Sequence, residues 1–156
     1  MPTFKQLYAT WATITITANS LANAAARQGT AVDNTTNLYL DALVGVTLST
    51  ASGTLGANPV VEVWAYASTD STPHYTDGAT GSDAAFTMPS VPNMVLLGVV
   101  NIAASATATY SRPFSIASAF GSMPDHWGVV LNNKTGLALG ASGNSAQYAG
   151  IQTQSF

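Results

Sequence analysis

The stretch STDSTPHYTDGATGSDAAF, residues 68 to 86, gathers Asp70, Asp77 and Asp83 with His74, one of two histidines in the chain. Carboxylates and imidazoles ligate metals and move protons. In a 156-residue chain of which 7% is charged, their proximity invites a chemical reading. A calcium loop, however, sets its oxygens at alternate positions so that they converge. These carboxylates stand at 70, 77 and 83, a spacing that brings nothing together. The plainer reading is a connection in which the aspartates bond nearby backbone N–H groups and Gly78 and Gly81 supply positive φ. His74, after Pro73, reads as an exposed loop residue, because one histidine without a second ligand makes a poor metal site. The segment is expected at one end of the fold, carrying no metal, cofactor or catalytic residue.

The remaining reactive side chains are sparse. His126 lies in MPDHWG between Asp125 and Trp127, but neighbours on a strand point to opposite faces, so Asp125 is badly placed to orient the imidazole. GASGN at 140 to 144 has Asn144 where a nucleophile elbow needs glycine. Trp127 therefore reads as a core anchor and Asp125 as a turn cap. Glu62, the only glutamate, would need Asp41 as a partner for two-carboxylate hydrolysis, and nothing sets that separation. GLALGASG at 136 to 143 lacks the lysine of a phosphate loop and the spacing of a dinucleotide fingerprint. Absence of cysteine excludes disulfides, thiolate metal sites and thiol nucleophiles. The sequons at Asn34 and Asn133 carry weight only in a secreted chain. The sequence thus predicts no catalytic, cofactor-binding or metal-ligating residue.

The elements that would carry any site read as strands, because the dominant hydrophobic period is two. WATITIT (11 to 17) alternates Ile14 and Ile16 against threonines. NLYLDALVGVTLS (37 to 49) places Leu38, Leu40, Ala42, Val44, Val46 and Leu48 on one face, long or bent at Gly45. PVVEVWAYAS (59 to 68) sets Val61, Val63 and Ala65 against Val60, Glu62, Trp64 and Tyr66, so its second face should also be partly covered. NMVLLGVVNI (93 to 102) is apolar on both faces, as in a strand buried between sheets or under a neighbouring subunit. ATATYSRPFSI (106 to 116) alternates until Pro113, which argues for an edge or bulge. AAFTM (84 to 88), HWGVVLNN (126 to 133) and SAQYAGIQTQ (145 to 154) complete the set, and KTGLALGASGN leaves room for one more short strand. Residues 19 to 29 fit either an alanine-rich helix or an extended crossover, and 116 to 122 a single helical turn.

About eight strands between Gly, Pro, Asn, Asp and Ser turns predict an all-β fold, an antiparallel β-sandwich. Long connections at 49 to 58 and 68 to 83 favour Greek-key crossings and hence a jelly roll. An immunoglobulin-like sandwich, without its Cys-Trp-Cys marker, stands second. Residues 1 to 10 read as an N-terminal arm and 11 to 156 as one domain.

Four basic residues far apart, against seven acidic ones and a net charge of -3, provide no patch for phosphates, so nucleic acid is not expected as a partner. No apolar run reaches the 18 residues of a membrane span, and no signal peptide is visible at MPTFKQLYATW. The chain is expected to be soluble and made in the cytoplasm. A surface this neutral is poorly protected from association. That favours a protein that works in an assembly over a secreted β domain of similar composition.

The runs NTTNLYLDALVGVTLST, NPVVEVWAYASTDSTPHYTDGATGSDAAF and LLGVVNI, followed by YSRPFSIASAFGSMPDHWGVVLNNKTGLALGASGNSAQYAGI, resemble small virion proteins encoded among the head and tail genes of tailed bacteriophages. The likeness spans roughly residues 14 to 152. Its most specific parts are YTDGATGSDAAF, Arg112-Pro113-Phe114, PDHWG and SAQYAG, while the first ten residues stand outside it. The resemblance implies a structural β-sandwich that coats or joins virion subunits. The leading expectation is a capsid decoration (cement) protein, made in the bacterial host and resident in the virion. It would act as a homo-oligomer, a trimer, on the major capsid protein or other virion proteins, with many modest contacts adding through avidity. Candidate interface residues are Pro2, Phe4, Leu7, Tyr8 and Trp11 in the arm and His74 and Tyr75 in the 68 to 86 loop. A carbohydrate-binding module of a tail or fibre, stacking sugars on Trp64, Tyr66 or Tyr75, is the alternative. A hydrolase stands third.

Overall fold

The computed structural model describes residues 3–68, 70 and 72–155. Two antiparallel sheets pack face to face, so the sandwich expected from the period-two pattern is what the chain forms. The jelly-roll version of it is not established by the strand pairings. The first sheet contains β1 (Phe4–Tyr8), β2 (Ala12–Ile14), β5 (Asp41–Leu48), β9 (Thr109–Tyr110), β10 (Phe114–Ser115) and β12 (Ser145–Ser155). The second contains β3 (Ala26–Gln28), β4 (Val32–Asp33), β6 (Val60–Ser68), β7 (Ala84–Phe86), β8 (Val95–Asn101) and β11 (His126–Lys134).

Long central strands organise each layer. In the first, β12 pairs on one side with β5 and on the other with β1 and then β2, while β9 and β10 line the far edge of β5. In the second the order is β7, β3, β11, β6, β8, with β4 beside β3 on β11. The 49 to 58 connection crosses from β5 in one sheet to β6 in the other. Pro113 falls between β9 and β10, where its missing N–H interrupts the edge ladder.

Alternation then builds the core. Ala42, Val44, Val46 and Leu48 of β5 face Val61, Val63 and Ala65 of β6 and Trp127, Val129 and Leu131 of β11, all nearly or fully excluded from water. Removing such area from water, about 25 cal/mol per Å², is what drives the layers together. Trp127 anchors this core as the sequence predicts and meets Tyr148 edge to face at 5.5 Å between centroids.

A smaller apolar cluster covers the outer face of the second sheet. Tyr66 and Val130 pack there with Ala79 and Met94, joined by Trp64 and Tyr75. The connection after β6 therefore folds back over the sheet, through a 3-10 turn at Thr76–Gly78, rather than being displayed at one end. The covered second face of β6, expected from its aromatic pair, is explained by this return.

Several elements depart from expectation. Leu38 and Leu40 lie outside β5 and are exposed, because Leu38 takes positive φ in a turn. β8 sits at the edge of its sheet with Leu96 and Val99 exposed, so it is not buried between sheets. Residues 19 to 25 form turns leading into β3. The single helical turn appears as α1 (Ile116–Phe120), capped by the Ser115 hydroxyl, which accepts from the Ser118 N–H. The extra strand foreseen around 134 to 144 is reduced to a bridge between Thr50 and Leu139.

Candidate docking ribbon and the fate of the charged clusters

Five of the seven candidate interface residues precede or enter the first sheet, and the structure gives four of them a definite place. Pro2 lies outside the described residues. Phe4, Leu7 and Tyr8 belong to β1, which pairs antiparallel with the end of β12 from Phe4 opposite Ser155 to Tyr8 opposite Ile151. Pairing of β12 with β5 stops at Ile151 opposite Asp41. Among the described residues, 152–155 pair with β1 alone, so β1 and the end of β12 continue as a two-stranded ribbon about 13 Å long at the usual strand rise, with 153–155 exposed. The sequence treats this segment as an arm; the pairing that makes it a strand depends on the other end of the chain.

Every residue of β1 is exposed, with Phe4 at 67% and Tyr8 at 57%. Alternation puts Phe4 and Tyr8 on the face that continues the outer surface of the first sheet and Leu7 on the opposite face. An isolated two-stranded ribbon is marginal in water. Among the described residues β1 is the edge strand of its sheet, and Lys5 is the one charged side chain along it. Packing against another surface is the physical route by which such a ribbon gains stability.

Tyr75 is corrected. Its ring is half-buried and meets Tyr66 edge to face at 5.1 Å, with burial raising its pKa, so it helps secure the returning loop. Tyr66 is fully buried and donates its hydroxyl to the Gly29 carbonyl, which excludes it from stacking on a sugar. The indole N–H of Trp64 donates to Glu62. His74 is exposed, its Nδ1 lying 3.0 Å from Asp70 Oδ2.

The carboxylates of the opening stretch do not converge, and among the described residues no group of three acidic or histidine side chains could hold a metal. Asp77 and Asp83 act as ties over longer sequence distances than turns require, while the Asp70 carboxylate meets His74. Asp77 accepts from the backbone N–H groups of Asn93 and Met94 and from the Asn93 amide. Asp83 accepts from the Thr17 N–H and hydroxyl and from Arg27 Nε. In both, burial opposes the charge, but these donors outweigh it and hold the pKa below the ordinary value. Gly78 and Gly81 take the positive φ foreseen for them.

Glu62, Asp41 and Asp33 are likewise bonded within the fold. Glu62 collects Lys134 Nζ at 2.7 Å, the Asn132 amide and the Trp64 indole on the outer face of the second sheet. Asp41 accepts from the Ser115 hydroxyl and the Ala117 N–H on the outer face of the first. The two carboxylates thus face away from each other across both layers. His126 is opposed by Asp33 of β4, with Nε2 3.7 Å from Oδ1, a partner the sequence did not suggest because β4 is two residues long. No hydroxyl among the described residues bonds His126, and its Nδ1 is buried without a partner. Both sequon asparagines are buried and bonded to backbone, Asn133 to the Leu21 and Leu137 carbonyls and Asn34 to Tyr39.

No helix among the described residues is long and apolar enough to cross a membrane. Compared with known protein families, curated proteins and solved structures, the chain matches none.

Proposed function

We propose that this chain is a structural protein of a tailed-phage particle, a decoration subunit that binds the outer head surface and ties capsid subunits together. The ribbon formed by β1 and the end of β12 carries this reading. It is a two-stranded edge element with exposed Phe4, Leu7 and Tyr8, and packing on another surface would stabilise it. Burying each of these side chains contributes about 1.5–3 kcal/mol. Three ribbons on a trimer would multiply that by avidity.

The surroundings suit the role. Acidic and basic side chains are few and most are consumed by internal ties, so a flat contact would desolvate little unpaired charge. Exposed Leu96 and Val99 on the edge strand β8 offer a separate apolar strip for contact between copies within the trimer.

The test is addition of purified protein to expanded heads lacking it. The native chain should bind saturably and raise the heads' resistance to heat, while a Phe4→Ser, Leu7→Ser, Tyr8→Ser variant should bind at least tenfold more weakly. Heads that take up no protein, or that take up both forms equally, would refute the reading.

A further inference from the structure

The outer face of the first sheet holds a groove of about 250 Å³, separate from the ribbon edge. Its floor is a small grid set by strand register. One row runs Tyr110, Thr47, Ser145 across β9, β5 and β12; the next runs Gly45, Gln147 across β5 and β12. At ordinary strand and residue spacings the grid measures about 10 by 7 Å.

Two aromatic side chains stand over this floor. Trp11, 46% exposed, lies against Gly45, where a Cβ would sit 3.4 Å from the indole Cζ3. Tyr110 is 74% exposed. The segment carrying Tyr110 is fixed by an exchange with β5: the Val46 N–H donates to the Ser111 hydroxyl at 3.0 Å and the Ser111 N–H to the Val46 carbonyl at 2.9 Å.

Thr47, Ser145 and Gln147 line the same groove, and their hydroxyls and amide carry no hydrogen bond among the described residues. None of the lining residues is charged. A ligand that matches must offer an apolar face to the rings and a rim of neutral donors and acceptors to the floor, without bringing a charge that would go uncompensated. A sugar ring has that combination, C–H bonds on its faces and hydroxyls around its edge. The volume lies just below the roughly 300–1,000 Å³ of pockets for drug-sized ligands, which suits one ring.

We propose that this groove binds a neutral pyranose ring of a saccharide, stacked on Trp11 and Tyr110 and hydrogen-bonded by Thr47, Ser145 and Gln147. The site differs from the platform that the sequence suggested on Trp64, Tyr66 and Tyr75, and it does not depend on where the ribbon docks. A single ring in an open groove binds weakly, with a Kd on the order of 1 mM.

The test is NMR titration of the full isotope-labelled chain with the methyl glycosides of glucose, galactose, mannose and N-acetylglucosamine. At least one should give saturable shifts centred on the Trp11 indole N–H and the amides of Gly45, Thr47 and Gln147. Trp11→Ala and Gly45→Val, the second filling the floor with both rings kept, should each weaken binding at least tenfold, and Trp64→Phe should leave it unchanged. Absence of saturable shifts at concentrations up to about fifty times that Kd would overturn the proposal. So would shifts that survive both groove variants, or shifts caused by a proline-rich peptide but by no sugar.

Discussion

Asp83 and Arg27, 56 residues apart in sequence, meet at 2.6 Å between Oδ1 and Nε, and both side chains are largely shielded from water. Because Asp83 also accepts from Thr17, one carboxylate joins the start of β7, strand β3 and the segment leaving β2. Asp83→Asn keeps the shape but leaves Arg27 without its charged partner. The variant should lose about 1–3 kcal/mol of unfolding free energy, read from the shift in urea midpoint. An unchanged midpoint would show that the tie contributes nothing.

The same chemistry sets the response to acid. Glu62, Asp77 and Asp83 have pKa values held below the ordinary 4.5 and 3.8, since their donors outweigh the effect of burial. Carboxylates lowered in this way contribute stability that is fully present above their unfolded pKa and lost as pH falls through the folded value. Stability from these groups should therefore be flat from pH 7 to about pH 5 and decline below about pH 4.5. Chemical denaturation at stepped pH checks this, and Asp83→Asn should show a shallower acid limb. Stability that rises on acidification would contradict the assignment.

Tyr66 offers a sharper packing test. Its ring crosses Gly128 so closely that a Cβ at that glycine would lie 2.2 Å from Cζ, and its hydroxyl is the donor to Gly29. Gly128→Ala should destabilise by about 3 kcal/mol or more, since ring and strand cannot both stay in place. Tyr66→Phe should cost about 1–1.5 kcal/mol for the lost hydrogen bond. The ratio matters: equal effects would mean that the ring is free to move aside.

How much of this was legible beforehand depends on whether the signal was local. Alternation in 59 to 68 and 126 to 133 is a property of neighbouring residues, and both strands lie where the pattern puts them. Alternation starts β5 too early because Leu38 and Leu40 continue it by residue type, whereas the Asn34 amide, bonded to both the N–H and carbonyl of Tyr39, closes a turn there. For β8, two apolar faces look alike whether a strand is central, at an edge or under a neighbouring subunit, and the pairing puts it at an edge. The ribbon and the sugar-sized grid were illegible for a deeper reason. Each is created by register between distant strands, Phe4 with Ser155 and Tyr110 with Thr47, and register is not written in any one stretch.

Substitutions on the ribbon should separate docking from folding. Phe4, Leu7 and Tyr8 are outside the core clusters, so serine at all three should change unfolding free energy by only about 0.5 kcal/mol. Scanning calorimetry of the variant beside the native chain measures it. A large loss would mean that the ribbon supports the sandwich, and would remove the argument that it is built for a partner.

The central proposal is that this sandwich sits on a phage head and grips it by the ribbon of β1 and the end of β12. A cryo-electron microscopy map of the virion tests that most directly. The account predicts density for the two-sheet body on the outer head surface, with Phe4, Leu7 and Tyr8 against capsid subunits. Particles without this chain, or a ribbon pointing into solvent, would contradict it.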